Sequence, residues 1–333
     1  MALGTFDTAV IYGAALSGRV VNYRPMGKTE LEVSEVGFGV WTVTSGRWGS
    51  FTDEHAVDLL RKAYDAGINY YDVSPTDGAG RGERLLARAF HEKRDLVVVS
   101  SKVGRAELGV DFSPAGIRKS LERTLERLES TYVDVLQLHY PDASTVADPG
   151  VWQTLESLKA EGKVRYYGIA LGPGPGGLEE GRTAMRKQDL GCVQIYYNLL
   201  EEEPGRKFFP VALEINQSMV VRAPHAGGVL ESDPAHATTL PADGDLGVKD
   251  PAWLEPAGRR AANLKWIHDG KGMTMSQAAL KFILSEETVA STIPNIYRED
   301  QLAEYAAVSD FPNFEQWEIA EIAEQFRKGF GVP

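Results

Sequence analysis

Residues 96–139 read LVVVSSKVGRAELGVDFSPAGIRKSLERTLERLESTYVDVLQLH. Two apolar runs rich in β-branched residues, from Leu96 to Lys102 and from Val133 to His139, bracket SPAGIRKSLERTLERL, whose apolar residues recur at helical spacing behind a Ser-Pro start. Strand, helix and strand in that order form a βαβ unit, the building block of a parallel sheet. Each strand of the unit ends on an ionisable side chain, Lys102 or His139.

The same alternation runs outward in both directions. Further strand candidates run from Val36 to Trp41, Ile68 to Asp72, Val164 to Ala170, Cys192 to Tyr197, Met219 to Arg222 and Val289 to Ile293. Helix-period stretches separate them, among them DEHAVDLLRKAYDAG, GERLLARAFHEK, DPGVWQTLESLKAEG, a segment around Gly177 to Lys187, and PGRKFFPVALEIN. Eight strands with intervening helices predict an α/β fold, a (β/α)8 TIM barrel. An open doubly wound sheet fits less well, because no glycine-rich dinucleotide turn follows the first strand. Two segments fall outside the repeat. YRPMGKTELEVSEVG, at Tyr23 to Gly37, predicts an N-terminal β-hairpin that plugs the barrel floor. The stretch from Ala223 to about Arg259, rich in Gly, Pro, Asp and Ala, predicts a long loop after strand 7, over the mouth. The expected organisation is an N-terminal extension, 1–22, followed by a single barrel domain, 23–333.

Composition narrows the function. The 333 residues are 43% hydrophobic and 9% aromatic, enough for a large core. The net charge of −12, from 47 acidic against 35 basic residues, comes with no basic block, which argues against nucleic acid as a partner. One cysteine, Cys192, leaves no disulfide framework and no multi-cysteine metal site, so no metal is expected and a reducing, cytoplasmic compartment is. No apolar run approaches the ~20 residues that cross a bilayer.

In a barrel of this type, polar side chains at the C-terminal ends of strands face a shared mouth. Here they are Asp72, Lys102, His139, Gln194, Asn198 and Arg222. Each has an ordinary explanation alone: an Asx-turn, a solvated rim charge, a packed histidine. Ionisable groups of three kinds at three consecutive strand ends, on strands otherwise apolar, point to one site.

YRPMGKTELEVSEVGFG, GINYYD, VVVSSKVG, YVDVLQLHYPD, VQIYYNLL and STIPNIYREDQLAEY occur in an order that resembles the aldo-keto reductase superfamily, from residue 23 to the end. The resemblance implies a (β/α)8 barrel binding NADP(H), less often NAD(H), at its mouth, and a tetrad of Asp, Tyr, Lys and His. It places Asp72, Lys102 and His139 on the acid, lysine and histidine, and Gln194 on the residue that holds the nicotinamide amide. In such chemistry the carbonyl carbon takes a hydride while its oxygen gains charge, so a proton donor and oriented dipoles are required there. A phenol of pKa ~10 needs help, which a lysine held by an aspartate provides.

The pattern departs at residue 77. The family's tyrosine follows its aspartate in a turn of the form DTAxxYG, whereas Asp72 opens DVSPTDG and the corresponding residue is Asp77. Beside Lys102 this carboxyl is expected to be ionised and a poor acid. Ala170 and Leu171 stand where relatives carry Ser-Asn, and Arg222 where a ring-stacking tyrosine is common. The late motif IPNIYREDQLAEY keeps Gln301 and offers Arg298 to a 2′-phosphate, with Asn295, Tyr297 and Tyr305 where glycine, arginine and asparagine are usual. Trp41, Trp48 and His225 are candidates for lining the substrate site, or for packing at the rim and in the loop. Residues 6–13, FDTAVIYG, repeat the family's aspartate-to-tyrosine spacing ahead of the hairpin, and so offer Tyr12 as a donor or a chance similarity. Three functions stay open: an NADP(H)-dependent oxidoreductase with an atypical donor, a barrel turned to non-redox acid/base chemistry on a sugar or carbonyl compound, and a non-catalytic NADP(H)-binding regulator. All three act on small molecules.

Overall fold

Eight parallel strands stand side by side in the computed structural model, which describes residues 21–106, 109–172, 177–232 and 251–332. A short hairpin, β1 (Tyr23–Pro25) and β2 (Glu32–Ser34), comes first. The barrel strands are β3 (Phe38–Gly39), β4 (Tyr70–Asp72), β5 (Val98–Val103), β8 (Val133–His139), β9 (Val164–Ala170), β10 (Val193–Tyr196), β11 (Met219–Arg222) and β12 (Val289–Ile293), paired in that order. Between β5 and β8 a small rim hairpin forms from β6 (Arg105–Ala106) and β7 (Gly109–Val110). The first and last barrel strands meet where Val36 bridges Thr292. There Gly37 N–H donates to the Thr292 carbonyl at 2.8 Å and Thr292 N–H to that of Glu35 at 2.9 Å, so the barrel is nearly closed.

Side chains alternate inside and outside along each strand. The lowest inner layer contains Tyr70, Val98, Val135, Cys192, Val220 and Ala290, and the hairpin's Met26, Leu31 and Val33 pack against it from below. The expected plug is therefore present. Two residues up each strand the interior turns polar, with Asp72, Ser100, Gln137 and Gln194, and two further on it reaches Lys102, His139 and Tyr196. Tyr71 points outward, its phenol donating to the carbonyls of Leu60 and Ile68 at 3.0 and 3.2 Å.

The outer helices start as their sequences dictate. Ser113 caps the helix Pro114–Leu128 by accepting from Gly116 N–H, and Thr52 does the same for Asp53–Asp65 through His55 N–H. Three details differ from expectation. The first barrel strand is only Phe38–Gly39, because Thr42 Oγ1 donates to the Gly39 carbonyl and Val40–Val43 coils into a 3₁₀ turn. The stretch after β11 is not all loop: Pro251–Ala262 is a helix, and 233–250 lies outside the described residues. Helices Met275–Leu284, Glu299–Ala306 and Gln316–Arg327 follow it, none of them read from the sequence. The motif at 6–13, with Tyr12, also lies outside the described residues.

Candidate active site

The strand ends surround a cleft of about 700 Å³ lined by Asp72, Asp77, Lys102, His139, Arg222, Trp41 and His225 among others. A second cleft, of about 460 Å³, sits on the barrel flank beside Arg61, Arg88 and Lys93 and holds none of the candidate residues.

At the centre of the mouth, Lys102 Nζ donates to Asp72 Oδ1 at 2.5 Å and to the Val73 carbonyl at 3.3 Å. The other carboxylate oxygen, Oδ2, accepts from Gln194 Nε2 at 2.9 Å and Gln137 Nε2 at 3.4 Å. Gln137 is itself fixed by Ser100 Oγ at 2.7 Å. Four strands, β4, β5, β8 and β10, thus hold one ion pair, in which each buried charge has its partner and the carboxylate its hydrogen bonds. Gln194 points down at Asp72, and its Oε1 is a buried acceptor without a partner among the described residues.

His139 is almost fully buried, its ring 4.3 Å from that of Tyr140. Burial pushes its imidazole well below the usual range, and the charges of Lys102, Arg222 and Arg105 push the same way. It is neutral near pH 7, so one ring nitrogen donates and the other accepts.

Asp77 occupies a turn whose next three residues, Gly78, Ala79 and Gly80, all have positive φ, between 54° and 75°. Glycine suits position 80 because φ there is 75°, and a Cβ would also meet Arg127 Cδ at 2.5 Å, on the side chain paired with the buried Glu83. Asp77 Oδ2 accepts from Ser74 N–H at 2.8 Å, and no hydrogen bond joins it to Lys102 among the described residues. Its carboxyl is pushed up to about 7: desolvation in the turn raises it more than Lys102 and the Ser74 N–H lower it, with Asp72 and Glu83 raising it further. The expectation that Lys102 drives this carboxyl toward its ionised form runs against the direction found, because desolvation raises it more than the lysine lowers it.

Arg222 lies between two rings, its guanidinium carbon 4.2 Å from the Tyr196 ring centre and 4.7 Å from that of Tyr140, with Nη2 donating to the Leu171 carbonyl at 2.8 Å. Its Nε is a buried donor with no partner among the described residues. His225 backs the cleft wall, with Nε2 3.2 Å from the Ser276 carbonyl and its ring 4.9 Å from that of Tyr305. Desolvation lowers it to about 4. Trp41 faces the cleft, and Trp48 packs edge-on against it and stacks on Tyr297. Arg298 and Gln301 are not among the cleft's lining residues. They stand at the start of helix Glu299–Ala306, where Arg298 grips Asp300 through two nitrogens at 2.9 and 3.2 Å and Gln301 Oε1 accepts from Tyr297 N–H at 3.2 Å. No group of three metal-ligating side chains occurs among the described residues.

The cleft also holds residues that the sequence reading passed over: Arg105, Tyr140 and Tyr196. Tyr140 carried a signal, since it directly follows His139 at a strand end. Its backbone is left-handed, φ 52°, an uncommon state for a tyrosine.

This geometry is a (β/α)8 barrel with its polar groups converging at the C-terminal mouth. A family model described as the Aldo/keto reductase family matches residues 35–326, and the chain belongs to that family. It is 29% identical over 296 residues to an L-galactose dehydrogenase of Arabidopsis thaliana, covering 86% of this chain and 88% of that one. It is 26% identical over 289 residues to an uncharacterized oxidoreductase of Bacillus subtilis (strain 168), covering 84% and 89%. Among solved structures, an aldo-keto reductase from Bacillus halodurans in a holo form superposes with a TM-score of 0.74 at 25% identity, covering 91% of this chain and 96% of that one. No helix among the described residues is long and apolar enough to cross a membrane.

Proposed function

We propose that the protein is a nicotinamide-dinucleotide-dependent oxidoreductase that interconverts a small carbonyl compound and its alcohol, with Asp77 standing where relatives carry a tyrosine. The observation that carries this reading is the Lys102–Asp72 ion pair, 2.5 Å long, opening into the same cleft as His139. The oxidoreductase relatives point the same way.

The residues at the mouth suit the dinucleotide. Gln194 Oε1 and Arg222 Nε, an acceptor and a donor, are buried without partners and match the two ends of a carboxamide. Arg298 would meet a 2′-phosphate if the cofactor is NADP(H), with NAD(H) as the second candidate. When bound, the dinucleotide supplies or accepts the hydride.

The chain's own side chains handle charge and proton. In reduction the carbonyl oxygen becomes negative, and the Lys102 ammonium together with the N–H of neutral His139 stabilises it in a cleft of low dielectric. Asp72 and Gln194 hold Lys102 in place. Asp77, titrating near 7, is protonated in a useful fraction at neutral pH and delivers the proton directly or through one water; in oxidation it takes that proton back. The experiment is direct. NADPH and NADH are titrated by fluorescence, then turned over with a test aldehyde. Binding with turnover supports the proposal, and binding without turnover for any aldehyde or alcohol refutes it.

A further inference from the structure

The cleft wall beside His139 carries more positive charge than the chemistry above uses. Arg105 donates from Nε to the His139 carbonyl at 3.0 Å and from Nη2 to the Tyr140 carbonyl at 3.3 Å. Its guanidinium carbon lies 5.6 Å from the Tyr140 ring centre, and that of Arg222 lies 4.7 Å from the same ring. Two guanidiniums therefore converge on one phenol ring at the rim. Among the described residues neither has a carboxylate within 4.0 Å, and Asp72 is already bound to Lys102. Holding half-buried cations without counter-ions costs stability.

The arrangement is also held open. The rim hairpin pairs Arg105 with Val110, so the arginine stands on a two-stranded ribbon and not on a free loop. Its bonds to two successive carbonyls brace the left-handed turn at Tyr140. With Nε and one Nη2 proton committed to those carbonyls, the remaining Nη1 and Nη2 protons are what a carboxylate could take.

We propose that the substrate is an aldehyde or ketone bearing a carboxylate, an oxo acid or sugar acid, whose carboxylate sits on Arg105 while its carbonyl reaches Lys102 and His139. This rests on the redox reading above and names its substrate class. Arg222 adds its field without needing contact. The product is the matching hydroxy acid: the carbonyl carbon gains the hydride that the reduced dinucleotide supplies, and the oxygen gains a proton from Asp77.

The test uses two probes differing in one charge, 4-carboxybenzaldehyde and methyl 4-formylbenzoate, on the full chain and on Arg105→Gln and Arg105→Lys. Binding is measured by calorimetry and turnover by loss of dinucleotide absorbance. The carboxylate is expected to bind at least about tenfold more tightly than the ester and to weaken as salt rises, the worth of one hydrogen-bonded charge pair. Arg105→Gln brings the two probes to within about threefold by weakening the carboxylate far more than the ester, and Arg105→Lys keeps part of the preference. A general structural role would weaken both probes equally, and that result overturns the proposal, as does an ester bound as well as the carboxylate. Loss of NADPH affinity in Arg105→Gln would assign the charge to the cofactor's phosphates and also overturn it. Carboxylate-selective binding without turnover of either probe would leave the carboxylate site on Arg105 standing and count against the redox reading on which the substrate assignment rests.

Discussion

Lys102 and Asp72, at the ends of adjacent strands, share a 2.5 Å ion pair that the parallel pairing of β4 and β5 brings together across 30 residues of sequence. Lys102 is 4% exposed and Asp72 13%, so the charges have little water to rely on. Replacing Lys102 by Met strands the carboxylate, and about 3 kcal/mol of stability is expected to go, together with at least a hundredfold in turnover. Adding Asp72→Asn to that variant should restore most of the stability and none of the rate. Urea melts and steady-state rates on the single and double variants separate the two effects.

The floor of the barrel is a different matter. Met26 is fully buried beneath the inner ring of Tyr70, Val98 and Val135. Met26→Ala is expected to cost about 2–4 kcal/mol through the cavity it opens, with KM unchanged because the mouth lies on the other side of the polar layer. A shift in KM comparable with the loss of stability would mean that the plug also shapes the site.

Much of this was legible in the chain. The barrel strands announce themselves as short β-branched runs, and Val133–His139, Val164–Ala170, Met219–Arg222 and Val289–Ile293 begin and end where the sequence suggests. The helix Met275–Leu284 escaped notice because every residue after Met275 is buried, which leaves no polar face and hence no helical period. At the site, residue types were readable at strand ends, but their pairings were not. That Gln194 turns to Asp72, or that Asp77 is held by Ser74 N–H and not by Lys102, depends on barrel closure and on a turn of three positive-φ residues. Arg105 and Tyr140 acquire meaning only when β6 folds back onto the end of β8.

In the proposed reading cofactor choice turns on Arg298, which Asp300 already neutralises through two hydrogen bonds. Asp300→Ala frees that guanidinium. The variant is expected to bind NADPH roughly three- to tenfold more tightly with little change for NADH, by the worth of a partly exposed charge-assisted bond. Equal shifts for both dinucleotides in a fluorescence titration would place the 2′-phosphate elsewhere.

Asp77 also leaves a mark on stability. Its carboxyl, near 3.8 in the unfolded chain, is about 7 in the fold, so the folded state binds the proton more tightly. The contribution is therefore fully present below about pH 4 and is lost as pH rises through 7. Asp77→Asn keeps an oxygen for Ser74 N–H and has no charge to desolvate. It should equal the native chain at pH 4 and exceed it by about 1–3 kcal/mol at pH 8, measured by urea denaturation at the two values.

In the proposed function Asp77 handles the proton of a hydride-transfer reaction. Its most direct test is the single-turnover rate of aldehyde reduction against pH, for the native chain and Asp77→Asn, with dinucleotide saturating. The native rate is expected to fall about tenfold per unit above pH 7, and the variant to be about a hundredfold slower at pH 6 with no break near 7. A variant that keeps the native rate and the native profile would contradict it.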